Sequence, residues 1–286
     1  MKLAIGIDLG GTKIQGILMD EKGKVLNTYR RPTEADTSRN KIIENIIEVI
    51  NKLNTEGVLG VGIGTPGFVR PNGRMSSVPN LIKLRDFNLK KALIKRTKIK
   101  ICMENDANCF ALAEHTKGAA KGCTNSIGVI IGTGVGTGII INNKIYSGSG
   151  GGAGEAGHAK LVVDNAVKDV EDLISGPNII KMYEELSGKK ALSPKVILNK
   201  RDKAARHVYN EVVFYTGLFF ANLINTFNPE CIVVGGGVSN LPFYPHVRKS
   251  VKKYANPFMA KMCKIKKHAI GDDAGAIGAA QLVFSD

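Results

Sequence analysis

Two segments of this chain repeat each other at a constant offset of 122 residues: 5–18 reads IGIDLGGTKIQGIL and 127–140 reads IGVIIGTGVGTGII. Ile5, Gly6, Gly10, Gly16 and Ile17 recur as Ile127, Gly128, Gly132, Gly138 and Ile139. Each copy is a short apolar run entering glycines and then a second apolar run, the pattern of two strands joined by a tight turn. Internal repeats constrain a fold before anything else, and one spaced this widely predicts paired domains, not a stacked solenoid. The copies differ where chemistry is sensitive, because Asp8 stands in the first where Ile130 stands in the second.

The chain has 286 residues, 43% of them hydrophobic, which suffices for two domains of ordinary size. No apolar run approaches the roughly 20 residues of a membrane span, and Met1 leads directly into a strand pattern, so a cytoplasmic protein without a membrane partner is expected. Five cysteines, Cys102, Cys109, Cys123, Cys231 and Cys263, form no CxxC pair and suggest neither a zinc knuckle nor a disulfide framework. The net charge of +15 is dispersed. Its densest clusters, 90–100 and 261–268, interleave no aromatics for base stacking, so nucleic acid is not an expected partner.

Residues 3–7, 12–19 and 25–33 read as an antiparallel meander, followed by a helix from an N-cap at Thr37 or Ser38 to near Gly57 and a strand at 58–63. Residues 99–103 form a strand ending at ENDAN, which puts Asn105 and Asp106 at a strand-to-helix junction, where α/β folds bind ligands. The second half repeats the plan with strands at 126–131, 138–141 and 144–147, helices through most of 171–226, and a short strand at 232–234 before three glycines. A final helix, DDAGAIGAAQLVF, closes the chain. We expect one domain of residues 1–118 plus about 272–286 and another of 119–271, with the boundary between 118 and 124.

Three constellations carry chemistry. Asp8, Gly10, Gly11, Thr12 and Lys13 follow a strand: glycines let backbone N–H groups approach an anion, Thr12 adds a hydroxyl and Lys13 a point charge. A dinucleotide fingerprint would open a helix, and no GxxxxGK[ST] loop occurs. With Gly132, Thr133, Gly134 and Gly136 as a second turn, phosphate binding outweighs a plain hairpin, and Asp8 becomes a candidate Mg²⁺ holder, directly or through water. Asp106 is the candidate general base for phosphoryl transfer to an alcohol, although alone it reads as a helix N-cap. Glu155 and His158, three apart in a glycine-rich stretch, could read adjacent hydroxyls of a polyol.

In these motifs the chain resembles the ROK (repressor, open reading frame, kinase) sugar kinases. The matching segments are DLGGTK from Asp8, GIGTPG from Gly62, PNL from Pro79, ENDAN from Glu104, GTGVGTG from Gly132, GEAGH from Gly154 and VVGGGVS from Val233. The resemblance implies an α/β fold of the two-domain, actin-like ATPase (ribonuclease H-like) type with an interdomain active-site cleft. It implies an ATP-dependent kinase using Mg²⁺, of glucokinase type, with fructose and N-acetylated glucosamine or mannosamine as other acceptors. By the same resemblance Asp106 is the base, Gly10 to Lys13 and Gly132 to Gly136 surround the phosphates, and Gly235, Gly236 and Gly237 lie near the adenosine. Asn80, Asn105, Glu155, His158 and Glu171 contact the sugar, and a homodimer follows a family tendency.

One departure stands out. Typical members place a CxCGxxGC zinc motif between the histidine and the later glutamate, whereas this chain has AKLVVDNAVKDV, so no zinc is expected and other packing must hold the loop. The family also contains sugar-responsive transcriptional repressors with a helix-turn-helix before the DLGGT motif; only seven residues precede Asp8, which disfavours that reading.

Overall fold

The computed structural model describes residues 1–200 and 202–285; Arg201 and Asp286, which the division above assigns to the second and first domain, lie outside the described residues. The elements run β1 (Leu3–Leu9), β2 (Lys13–Asp20), β3 (Val25–Pro32), α1 (Arg39–Leu53), β4 (Val58–Thr65), α2 (Leu89–Thr97), β5 (Ile101–Asn105), α3 (Asp106–Thr116), β6 (Ser126–Ile131), β7 (Val135–Ile141) and β8 (Lys144–Ile145). They continue as β9 (Lys160–Val163), β10 (Ala166–Asp169), α4 (Val170–Ile174), α5 (Gly176–Ser187), α6 (Pro194–Leu198), α7 (Lys203–Phe227), β11 (Cys231–Gly235), α8 (Tyr244–Tyr254), α9 (Pro257–Met262), β12 (Lys264–Lys267) and α10 (Ala274–Ser285). Among the described residues no helix is long and apolar enough to cross a membrane.

The chain divides into two compact units, one of Met1–Gly118, Ile145–Ala153 and Ile270–Asp286, the other of Ala119–Lys144 and Gly154–Ala269. The segment Ile145–Ala153 therefore departs from the division read off the sequence. Its bonds explain why: Ser147 Oγ donates to Glu104 Oε2 at 2.9 Å, and Gly151 lies so close to Val69 that an added Cβ would sit 2.3 Å from the Val69 carbonyl oxygen.

The first unit is built on a five-stranded sheet ordered β3-β2-β1-β4-β5. β1 alternates in the strand period of two. Leu3, Ile5, Ile7 and Leu9 join Ile42, Ile46, Val49 and Ile50 of α1 in one buried cluster, whereas Ala4 joins Ala276, Ala280 and Val283 of α10 in another. Ser38 caps α1, accepting from the Lys41 N–H at 3.2 Å, and the helix stops at Leu53, short of Gly57. α10 lies close to the sheet because Gly6 and Gly62 have no side chains. A Cβ on Gly6 would stand 2.0 Å from the Ala276 oxygen, and one on Gly62 would stand 1.7 Å from the Ala279 oxygen.

The second unit repeats this topology in the order β12-β11-β6-β7-β8, with β6 antiparallel to β7 and parallel to β11. Its core gathers Ile127, Val129 and Ile131 of β6, Ile232 and Val234 of β11, and Phe219, Phe220 and Ile224 of α7. The constant offset across the repeat needs correction at the turn. In the first hairpin Leu9 pairs with Ile14 across residues 10–13, whereas in the second Ile131 pairs with Val135 across residues 132–134 only. The second turn is thus one residue shorter. Gly16, the partner of Ile7, corresponds to Thr137, the partner of Val129, and not to Gly138.

Gly62→Ala is expected to destabilise the protein by at least about 1–3 kcal/mol, since the added methyl meets α10 backbone that cannot swing aside. Gly150, with open space around it, should tolerate alanine with no measurable change in chemical denaturation.

Candidate functional site

In the first unit β1 delivers Asp8 on the α10 side of the sheet, where Gly275 leaves room: a Cβ there would lie 3.2 Å from Asp8 Oδ2. The following turn is closed by the Gly10 N–H donating to the Lys13 oxygen at 3.0 Å. Buried Thr33 locks it from behind, donating through Oγ1 to the Gly10 oxygen at 2.6 Å and through its N–H to the Thr12 oxygen at 3.0 Å. Thr12 and Lys13 remain exposed. Gly11 abuts Asn80, whose Cβ would be 2.8 Å from a Cβ on Gly11, so this turn and Asn80 lie together.

β5 ends at the ENDAN segment, and Asn105, not Asp106, takes the N-cap of α3. Asn105 Oδ1 accepts from the Ala107 and Asn108 N–H groups at 2.9 and 3.3 Å, while its Nδ2 donates to the Gly67 oxygen at 3.1 Å. Capping by asparagine satisfies orphan amides at the helix start and leaves Asp106 in the first turn, where Oδ1 accepts from the Ala107 N–H at 2.8 Å. Glu104, to which the sequence assigned no task, acts as a strut: Oε1 accepts from the Asn105 N–H at 2.8 Å and from Asn108 Nδ2 at 3.0 Å.

Asp8 and Asp106 are held largely out of water and feel each other's charge. Burial, and then Asp106, push Asp8 up from its ordinary 3.8 to about 6, against the pull of Lys13. Burial also raises Asp106, opposed by the backbone N–H groups of Ala107 and Asp106 itself and by the Asn105 side chain. Negative charge gathered in low dielectric favours protonation or a cation. The Asp8 carboxylate, with bare Gly275 beside it and one lysine nearby, could hold a divalent ion, which would supply neutralisation of charge.

In the second unit the glycine turn is pinned by two bonds, Gly132 N–H to the Gly134 oxygen at 2.9 Å and Gly176 N–H to the Gly132 oxygen at 2.8 Å. Glu171 lies against this turn: Oε2 accepts from the Val135 N–H at 2.7 Å, and a Cβ on Gly134 would stand 2.5 Å from that oxygen. Gly136 lies within β7, opposite Ile130. Gly132, Thr133 and Gly237 line one cavity of about 400 Å³ with Gly176, Pro177 and Lys195. Gly235 ends β11, and Gly236, at φ +78°, admits no side chain because a Cβ would meet the Ile131 oxygen at 2.4 Å.

The GEAGH segment follows the backbone of β7, with Gly154 and Gly157 so close that their Cβ atoms would lie 2.3 and 2.1 Å from the Thr137 and Val135 oxygens. The segment closes as a single 3₁₀ turn, Ala156–His158, that exposes Glu155 and His158. His158 Nε2 lies 3.8 Å from Glu155 Oε2, and Nδ1 lies 3.0 Å from Asp169 Oδ2. The cysteine-free interval after His158 folds as the β9–β10 hairpin. Sequence reasoning missed Glu104, Asp169, Gly176 and Lys195. Only Asp169 left a signal, as an acidic residue just before a helical pattern. Two larger grooves, each about 670 Å³ and both lined in part by lysines of α8, contain none of the residues expected from sequence; aromatics line only the one beside α7.

The ROK family pattern matches residues 4–285. The glucokinase of Halalkalibacterium halodurans is 31% identical over 310 residues, 98% of this chain and 94% of that protein. The N-acetyl-D-glucosamine kinase of Haemophilus influenzae is also 31% identical, over 305 residues, 98% of this chain and 99% of that protein. Among solved structures, a ROK hexokinase from Thermus thermophilus superposes with a TM-score of 0.87 at 26% identity, covering 99% of this chain and 98% of that one. A ROK family glucokinase from Streptomyces griseus in complex with glucose and AMPPNP gives a TM-score of 0.80 at 28% identity, covering 99% and 100%.

The raised Asp8 pKa makes a signed prediction. The folded state holds the proton more tightly than the unfolded chain, so ionising Asp8 costs stability progressively between pH 3.8 and about 6, and fully above that. Asp8→Asn should therefore stabilise the ligand-free protein at pH 7.5, by at most about 3 kcal/mol, and by less at pH 5. A difference in melting temperature that does not change with pH would contradict this.

Proposed function

The chain belongs to the ROK family, and from that premise we propose that it is a sugar kinase that transfers the terminal phosphoryl group of ATP to a hexose hydroxyl, with D-glucose as the acceptor. The observation that carries this reading is the half-buried carboxylate Asp106 at the start of α3, beside a second half-buried carboxylate and a glycine turn bearing an exposed lysine. Phosphoryl transfer needs little covalent chemistry from a protein; it needs positioning, charge neutralisation and a proton acceptor.

In the proposed reaction the sugar oxygen forms a bond to the γ-phosphorus, the bond from that phosphorus to the bridging oxygen of ADP breaks, and the hydroxyl proton passes to Asp106. Desolvation supports this role, because burial raises the Asp106 pKa above its ordinary carboxylate value and so makes the ionised group a stronger proton acceptor. The N–H groups of residues 10–13, with Thr12 and Lys13, are assigned to the phosphates, and so are those of Gly132 to Gly134. The cavity shared by Thr133, Gly176, Lys195 and Gly237 suits the adenosine end. Asp8 would hold Mg²⁺, which supplies neutralisation of phosphate charge when bound.

For the acceptor, Glu155 and His158 offer an acceptor and a donor to neighbouring hydroxyls, with Asn80 and Asn105 assigned to the same ring. Glu171 already accepts from Val135 N–H, so it is assigned to join the sugar contacts to the second glycine turn. A cytoplasmic setting, where thiols stay reduced and ATP is abundant, suits a chain whose five cysteines form no disulfide.

A coupled ADP-release assay over glucose, fructose, mannose, N-acetylglucosamine and N-acetylmannosamine tests the reading. Glucose should stimulate turnover most, and Asp106→Ala should lower kcat on the order of a hundredfold or more with the fold intact by circular dichroism. Turnover unchanged by every sugar would overturn the kinase reading, and near wild-type activity in the variant would overturn the assignment of the base.

A further inference from the structure

We propose that Asp169 is a positioning residue of the sugar site, a single side chain that orients the His158 ring and anchors the start of the helix carrying Glu171. The inference rests on the sugar-kinase reading above, and its argument begins with a turn. Asp164 and Asn165 both adopt left-handed backbone, φ 50° and 62°, the combination that a two-residue type I′ hairpin requires. That turn sets the register of β9 and β10, with Val163 opposite Ala166 and Lys160 opposite Asp169. A slip of one residue would place Lys160 beside another lysine, Lys168.

In the observed register Lys160 Nζ donates to Asp169 Oδ1, and Asp169 Oδ2 faces His158 Nδ1 at 3.0 Å. One carboxylate thus bridges Lys160 and His158 at the base of the hairpin. The ladder continues one step further, the Val170 N–H donating to the Ala159 oxygen at 3.0 Å, which ties the His158 turn to the first residue of α4. Asp169 itself occupies the N-cap position of α4, and its N–H faces Asp172 Oδ2 at 3.4 Å. The next helical residue is Glu171, bonded to the second glycine turn. Asp169 therefore stands between both residues assigned to the sugar.

With Nδ1 engaged, Nε2 is the ring nitrogen left for a ligand. It lies 3.8 Å from Glu155 Oε2, too far for a direct hydrogen bond, so a hydroxyl could be met by both groups. The charges facing the ring are Asp169, Glu155 and Glu171, with Lys160 acting through Asp169. The hydrogen bond that His158 donates to Asp169 leads in holding His158 above its ordinary 6.5, with Glu155 and Glu171 adding to it against partial burial. When protonated, the ring presents a charged donor to a sugar oxygen, a stronger bond than a neutral imidazole makes.

Asp169→Asn separates orientation from helix capping, because asparagine is as good an N-cap as aspartate but carries no charge. In steady-state kinetics this variant should raise the KM for glucose on the order of tenfold, the loss expected for one charged hydrogen bond, while kcat and the KM for ATP stay within about twofold. The His158 C2–H resonance, assigned by its disappearance in His158→Gln, should titrate at lower pH in Asp169→Asn and at higher pH in Lys160→Met, which removes the cation competing for the carboxylate. Asp169→Glu should recover part of the glucose affinity. An unchanged glucose KM in Asp169→Asn, a parallel rise in both KM values, or a His158 titration indifferent to both variants overturns the proposal. If Asp169→Asn does not fold, Lys160→Met decides by the same readouts. Should wild-type protein show no hexose-stimulated ADP release, the kinase reading fails instead and takes this proposal with it.

Discussion

The first unit is organised around the cost of withdrawing two carboxylates, Asp8 and Asp106, partly from water. Burying one ionised acid is expensive, and burying a second within its field is more so. Asp8 and Asp106 both show that expense as a raised pKa, with burial the leading cause in each. A fold selected for stability alone would not retain such a pair; one that must accept a proton and receive a metal-bound phosphate has reason to. The neighbouring thiol of Cys109 is pushed up as well, by its own burial and then by Glu104, Asp106 and Asp8.

The surrounding architecture makes that arrangement rigid. α10 can lie against the sheet only because Gly6 and Gly62 present bare backbone, and α3 meets α10 where a Cβ on Gly278 would stand 1.8 Å from the Cys109 oxygen. These contacts hold β1, β4 and α3 in fixed relation, so the carboxylates at their ends have little freedom to separate. The second unit uses the same device on another motif: Gly154 and Gly157 bring the Glu155–His158 turn onto β7, and Glu171 occupies the space that a side chain at Gly134 would fill. Glycines of the sequence motifs, Gly62, Gly154 and Gly157 among them, are therefore sites where backbone meets backbone.

Much of this was legible before the structure. The strand-turn-strand repeat corresponds to two sheets of the same order, and the apolar spacing of Ile42, Ile43, Ile46 and Ile50 is the buried face of α1. Three features were not. A constant offset concealed the one-residue difference between the turns, because glycines and isoleucines recur so densely that a shifted alignment still matches. The β9–β10 hairpin is short, exposed and partly charged, so it has weak periodicity; its real signal was the Asp164-Asn165 pair. The side-chain partners of Glu104, Glu171 and Asp169 depend on tertiary neighbours that no local pattern encodes. Asn105 and Asp106 show the limit within one motif: both were placed at the junction, but which one caps the helix is decided by backbone geometry.

The central claim is that Asp106 accepts the substrate proton from an environment that raises its pKa, and the pH dependence of kcat/KM for the phosphorylated sugar tests it most directly, since that ratio reports the free protein. The two carboxylates titrate as a pair, so the acid limb carries apparent values that belong to both. The account predicts an acid limb centred above the ordinary carboxylate value of 3.8, the direction in which burial moves both groups. A limb at the ordinary value, or one that survives in Asp106→Asn at near wild-type rate, would contradict it.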